Sequence, residues 1–232
     1  MSAGKLAAPA RFITFEGIDG SGKSTQMAAV AERLAGQGCR FVQTREPGGT
    51  PLGEALRALV IGHEMVPLTE TLLMFAARAE HLAQIIRPAL ASGCWVLCDR
   101  FTDATYAYQG AGRGIAQPAI GALAQIVQGD LLPDLTVLVD LDIEIARRRA
   151  SARGAAPAAA APAKTARRRT AAASAAADRF ESEQAAFFLR VRRAYLERAV
   201  AEPGRFLVVD GAAPEAALTA AIAERLLPWL EA

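Results

Sequence analysis

The clearest chemistry in the chain lies near its start, in Gly17-Ile18-Asp19-Gly20-Ser21-Gly22-Lys23-Ser24-Thr25. The G-x4-G-K-[ST] spacing is that of a phosphate cradle. Its glycines let backbone N–H groups approach phosphate oxygens, and the helix that begins there adds a favourable dipole. Lys23 then reaches the β- and γ-phosphates of a nucleoside triphosphate, and the Ser24 hydroxyl ligates Mg²⁺. The context fits, because an apolar strand, Phe12–Glu16, precedes the loop and a helical pattern follows it. Such a cradle serves kinases, switches, motors and ATPases alike, so the remaining residues must decide between them.

Three further groups suit a second, acceptor substrate. They are Thr44-Arg45-Glu46-Pro47-Gly48-Gly49-Thr50, the run from Asp99 to Gly110, and Met74-Phe75-Ala76-Ala77-Arg78 on a long helix. Arginines at strand ends offer forked contact to a phosphate, and Met or aromatic surface packs on a flat base. No Ser/His/Asp or Cys/His set is visible, and the two histidines leave little room for one. Transfer by positioning and charge neutralisation is therefore expected, with no covalent enzyme intermediate.

The elements that must hold these groups read as an alternation of short apolar runs and longer helical patterns. The runs are 12–16, 40–44, 95–99, 135–140 and 205–210; the helical stretches are 24–37, 52–61, 69–91, 117–129, 143–153, 179–201 and 214–231. This predicts an α/β P-loop NTPase fold in three layers, a central parallel five-stranded sheet flanked by helices. One domain over 11–232 is expected, after a flexible leader at 1–10. Residues 154–177 break the pattern with Ala-Pro repeats, a basic triplet and more alanine, and read as a disordered low-complexity insertion within a lid at about 147–181. Residues 147–179 carry a net +8 and the rest of the chain −6, so the lid is suited to a polyanionic partner. Three cysteines without clustered histidine argue against a disulfide framework or zinc site and for a reducing cytoplasm. No window is long and apolar enough to suggest a membrane span, and the N-terminus lacks the apolar core of a signal peptide.

The motifs TREPGGT at 44–50, DRFTDATYAYQG at 99–110 and PDLTVLVDL at 133–141 make the chain resemble the bacterial thymidylate kinases over about residues 11–232, the insertion excepted. Adenylate and guanylate kinases share the phosphate cradle but not these three together. The resemblance implies transfer from ATP-Mg²⁺ to dTMP, a step of dTTP biosynthesis, by a homodimer. It implies that Arg57 and Arg100 bind the acceptor phosphate, and that Arg78 addresses a thymine carbonyl with Thr105 and Gln109. Glu46 and Asp99 would help hold Mg²⁺ and its waters, and Asp19 would lie near the acceptor sugar and phosphate clamp. Tyr108 would close beside the deoxyribose, and either Met74 or Phe75 would pack on the base. Some members carry an arginine in the cradle where this chain has Gly20, so the catalytic arginine is expected from the lid. Arg149 and Arg153 are the candidates and Arg167–Arg169 their rivals, with Arg147 or Arg148 stacking on adenine. Asp178-Arg179-Phe180-Glu181 resembles the lid exit.

A kinase for another monophosphate or a deoxynucleoside is the competing enzymatic reading, disfavoured for an uncharged nucleoside by the acceptor-side arginines. An ATP-dependent nucleic-acid-binding protein using the +8 segment is the other. Its basic residues lack the interleaved aromatics of a stacking platform. Neither nucleic acid nor membrane is expected as a partner.

Overall fold

The computed structural model describes residues 10–152 and 171–231. Five strands, β1 (Phe12–Glu16), β2 (Phe41–Arg45), β3 (Trp95–Asp99), β4 (Leu135–Asp140) and β5 (Phe206–Asp210), form a parallel sheet in the order β2-β3-β1-β4-β5. The central β1 is buried along its whole length, as a parallel strand covered on both faces must be. The edge strand β2 is only partly covered.

The flanking helices are α1 (Lys23–Gly36), α2 (Pro51–Gly62), α3 (Pro67–His81), α4 (Arg87–Ala91), α5 (Thr102–Thr105), α6 (Gln117–Gln128), α7 (Ile143–Ala152), α8 (Ala171–Ala201) and α9 (Glu215–Leu230). One core joins Phe15, Val137 and Val209 to Leu34 of α1 and Ile222 of α9. A second joins Leu138 to Ala146 of α7 and Val191 and Tyr195 of α8. A third packs Phe12, Val96 and Phe101 against Leu82 and Ile86. Among the described residues no helix is long and apolar enough to cross a membrane.

The expected strands appear within one residue of their predicted bounds. The long helix expected at 69–91 is interrupted by a π-helical stretch, Leu82–Ile86, between α3 and α4. Pro88 cannot donate the hydrogen bond that would continue an α-helix back to Gln84, and the chain widens by one residue there. A second π-helical stretch, Tyr106–Gly112, follows α5. The 154–177 insertion was expected without regular structure, yet α8 begins at Ala171. Alanine has the highest helix propensity, and the run Ala171–Ala177 contains no proline.

Two ion-pair clusters fix α8 to the sheet. Arg192 grips Asp140 at the end of β4 with Nε at 2.6 Å and Nη2 at 2.8 Å. Buried Asp103 accepts from Arg198 Nε at 2.5 Å and from Arg205 Nη1 at 2.6 Å. The turn after β3 is thereby tied to α8 and to the start of β5.

Candidate active site

The carboxyl edge of the sheet gathers the charged groups. Strand register sets Asp99 beside both Phe15 and Arg45, and Asp140 beside Asp210. The phosphate cradle, 17–24, runs from the end of β1 into α1, capped by Gly22 in a left-handed conformation. Ser24 and Thr25 are exposed at the first turn of α1, whereas Lys23 is buried, its Nζ 3.3 Å from Ile18 O and 3.9 Å from Asp19 Oδ1. Burial, helped by repulsion from Arg100, brings the Lys23 ammonium down to about 8 against the pull of Asp99, Asp19 and Glu16. Ser21 Oγ is buried without a partner.

Gly20, where some relatives are expected to carry arginine, has a φ of +89°, and a Cβ there would stand 2.2 Å from Ala146 O. The backbone of α7 closes on this position, so a side chain would have to displace the helix. The lid helix is packed where a cradle arginine would sit. From that helix Arg149 donates to Gly211 O at 2.8 Å. Arg147 and Arg148 turn back to Glu144, at 3.6 Å and 3.2 Å. Arg153 and Arg167–Arg169 lie outside the described residues, as does most of the insertion.

Beside the cradle a cleft is lined by Asp19, Arg57, Met74, Arg78, Arg100 and Gln109, with Glu46, Asp99, Thr105 and Tyr108 also on its walls. Arg100 holds a φ of +72°, costly for a residue with a Cβ. Its guanidinium donates to Asp19 Oδ1 at 2.8 Å, Tyr108 OH at 3.1 Å and Tyr195 OH at 3.2 Å, and lies 4.7 Å over the Tyr108 ring. Burial pushes Asp19 up, but Arg100 and Lys23 outweigh it and hold the carboxyl below its ordinary range. Burial pushes the Tyr108 hydroxyl up to about 12, so it stays protonated and able to donate. Arg57 is anchored on Pro47 O at 3.1 Å.

At the other end Arg78 is almost fully buried and bound through two of its nitrogens, Nε to Glu46 Oε2 at 2.7 Å and Nη2 to Thr105 Oγ1 at 3.0 Å. Its Nη1 is buried and unpartnered. Glu46 was expected to help hold Mg²⁺, and this expectation is withdrawn. Its second oxygen accepts from His81 Nδ1 at 2.9 Å, with Nε2 of the same ring 2.6 Å from Thr44 Oγ1, so the carboxylate is committed to orienting Arg78. Phe75 likewise does not line the cleft. It is 2% exposed and packs with Ile120 and Ala124, its ring 4.9 Å beneath the Arg78 guanidinium. Glu70, Met74 and Arg78 recur every four residues and share the face of α3 that lines the cleft, whereas Phe75 is rotated about 100° towards α6.

Among the described residues no cluster of three or more metal-ligating side chains occurs. Mg²⁺ usually takes one or two protein ligands and completes its shell with waters and substrate phosphates. Asp99 Oδ1, buried without a partner at the end of β3, and the exposed Ser24 hydroxyl fit that demand.

The sequence reading missed Glu16 and Tyr195. Glu16 Oε1 accepts from Phe101 N at 2.8 Å and Oε2 from Tyr195 OH at 2.7 Å, so the strand end braces the turn that presents Arg100. Burial first, and then the Asp103 charge, push the Glu16 carboxyl up to about 7 against Arg100 and its two donors. The folded state therefore keeps a proton that the unfolded chain releases between pH 4.5 and 7. This contribution to stability is fully present below pH 4.5 and lost as pH rises through 7. The expected size is on the order of 3 kcal/mol. Urea melts at pH 5 and pH 7.5 should show the loss in the native protein and a much flatter profile in Glu16→Gln; equal slopes would contradict it.

Comparison with known proteins follows the same lines. Residues 15–222 match the family model described as thymidylate kinase. The thymidylate kinase of Pseudomonas fluorescens (strain SBW25) is 50% identical over 222 residues, 94% of this chain and 95% of that protein. That of Bordetella petrii is 52% identical over 210 residues, covering 90% and 91%. The crystal structure of thymidylate kinase from Ehrlichia chaffeensis superposes with a TM-score of 0.69 at 33% identity, over 94% of this chain and 98% of that one. On these matches the chain belongs to the thymidylate kinase family.

Proposed function

We propose that this member of the thymidylate kinase family converts dTMP to dTDP by direct in-line transfer of the γ-phosphoryl group of ATP. The observation that supports the acceptor most is the cleft's polarity. Arg57 and Arg100 stand at the end near the cradle, and the buried, unpartnered Nη1 of Arg78 stands at the other. A nucleotide with a phosphate at one end and a carbonyl-bearing base at the other satisfies both; an uncharged nucleoside leaves the arginine pair unmatched.

In this reading an oxygen of the dTMP phosphate attacks the γ-phosphorus, and the bond to the β,γ-bridging oxygen breaks to release ADP. The nucleophile is already anionic, so no protein base is required, and rate comes from alignment and charge neutralisation. Cradle N–H groups and Lys23 hold the donor phosphates, Arg57 and Arg100 hold the acceptor phosphate, and Asp19 keeps Arg100 aimed. Ser24 and Asp99 would hold Mg²⁺, which supplies charge neutralisation on the donor phosphates. Met74 packs on the base, Thr105 and Gln109 address its edge, and Tyr108 lies beside the sugar.

With Gly20 in the cradle, the arginine acting on the transferred group comes from α7, and Arg149 is the described candidate. In this reading Arg149 exchanges its bond to Gly211 O for the transferred phosphoryl group. Arg149→Ala should lower kcat about a hundredfold with the dTMP KM changed less than threefold. Retention of full kcat would move the role to Arg153 or Arg167–Arg169. A homodimer is part of the same reading, with Leu52, Leu59, Leu68 and Leu72 exposed on α2 and α3 as the apolar face. Sedimentation equilibrium at micromolar concentration tests it, and a monomer there would exclude it. A cytoplasmic location, with three free thiols, completes it and is checked by fractionation.

A further inference from the structure

One buried carboxylate on the cleft wall has no role in the chemistry described so far. Glu70, in the first turn of α3, is 7% exposed and faces the base end of the cleft. It accepts from Gln109 Nε2 at 2.8 Å, and Arg113 Nε lies 2.9 Å from its other oxygen.

This arrangement decides the orientation of the Gln109 amide. A carboxylate paired with an arginine offers lone pairs only, so the amide must turn its NH₂ towards Glu70 and its carbonyl Oε1 away. No hydrogen bond to Oε1 is present among the described residues, and Gln109 lines the cleft. The base end therefore presents two different groups, a donor, Arg78 Nη1, and an acceptor, Gln109 Oε1. Thymine and uracil offer the complement, a carbonyl at C4 and an N–H at N3. Cytosine offers the reverse, an amino group at C4 and a lone pair at N3, and meets like against like at both positions.

We propose that Glu70 is a specificity-determining positioning residue. By holding Gln109 Nε2 it locks the amide carbonyl towards the base, where it accepts the N3–H of thymine or uracil and rejects cytosine. This rests on the assignment of Gln109 to the base edge made above. Without a carboxylate at position 70 the amide can turn over and donate to cytosine N3.

The test measures kcat/KM for dTMP, dUMP and dCMP in the native enzyme, Glu70→Gln, Glu70→Asp and Gln109→Ala. Glu70→Gln keeps the shape but can pair with either end of the amide. Glu70→Asp keeps the charge but no longer reaches it, and serves if the first variant folds poorly. The expected result is a rise of about tenfold in the dCMP:dTMP ratio in both Glu70 variants, one hydrogen bond's worth of discrimination. The dUMP:dTMP ratio and the ATP KM should stay within twofold, because uracil and thymine share this edge. A dCMP:dTMP ratio within twofold of native in both Glu70 variants, or an equal change in the dUMP:dTMP ratio, overturns the role of Glu70 even if Gln109→Ala loses dTMP activity. If Gln109→Ala leaves kcat/KM for dTMP within twofold, the assignment of Gln109 to the base fails, and the proposal with it.

Discussion

Lys23→Ala should cut phosphoryl transfer by several hundredfold in kcat, while the thermal unfolding midpoint changes little or rises. The two effects have one cause. Lys23 is buried among the cradle backbone, its ammonium bonded to Ile18 O and 3.9 Å from the Asp19 carboxylate, and burial brings it down to about 8 despite the pull of Asp99, Asp19 and Glu16. An ammonium held so poorly by protein groups is a cost to folding, and the proposed role is one in which triphosphate oxygens surround it. Removing one such electrostatic partner of the migrating phosphoryl costs roughly 3–4 kcal/mol in the transition state, and Lys23 also serves to bind the donor. Because the folded state binds fewer protons at Lys23 than the unfolded chain above pH 8, native stability should rise between pH 8 and 10.5, and this rise disappears in the variant. Turnover within tenfold of native would remove Lys23, and with it the cradle, from the mechanism.

Arg100→Ala should lower kcat/KM for dTMP by about a thousandfold, with the ATP KM changed only a few-fold. Arg100 is held in a left-handed backbone conformation and bonded at once to Asp19, Tyr108 and Tyr195. Such strain persists where the surroundings impose it, and here they aim the guanidinium at the place where cradle and cleft meet. The substitution removes a fork that can grip a phosphate and leaves Asp19 with only the more distant Lys23 and Arg57 charges to offset it beside an incoming dianion, so it loses an attraction and gains a repulsion. Arg100→Lys should recover a minor part, since an ammonium keeps the charge but cannot bond three protein groups and a phosphate together. A proportionate rise in the ATP KM would instead assign Arg100 to the donor side.

A residue's role is legible in the sequence when it depends on that residue's own neighbours in the chain. The strands were legible because a buried parallel strand is a short apolar run. The slip of β2 by one residue reflects its edge position, where partial burial weakens the signal. The cradle was legible because its glycines, lysine and serine act within one loop. Arg78 and Arg100 stand in groups that the sequence singles out, whereas Arg57 came only through the family resemblance; all three line the cleft. The partners of those arginines were not legible, because the pairings span the chain: Glu46 with Arg78 across 32 residues, and Tyr195 with Arg100 across 95. The metal role of Glu46 was implied by the resemblance alone, and the arginine that occupies its carboxylate comes into view only in the fold. The ambiguity between Met74 and Phe75 could be settled from sequence only by adding Glu70 to the pattern, since the spacing of Glu70, Met74 and Arg78 sets the face. The break in the long helix was signalled by Pro88.

The most direct measurement is ADP release with ATP-Mg²⁺ against dTMP, dUMP, dCMP, AMP, GMP and thymidine, each at the same concentration. The account predicts that dTMP supports the highest kcat/KM, that dUMP follows, and that thymidine, without the phosphate assigned to Arg57 and Arg100, supports no turnover above the ATP background. Equal or faster turnover with a purine monophosphate, or with thymidine, would contradict it.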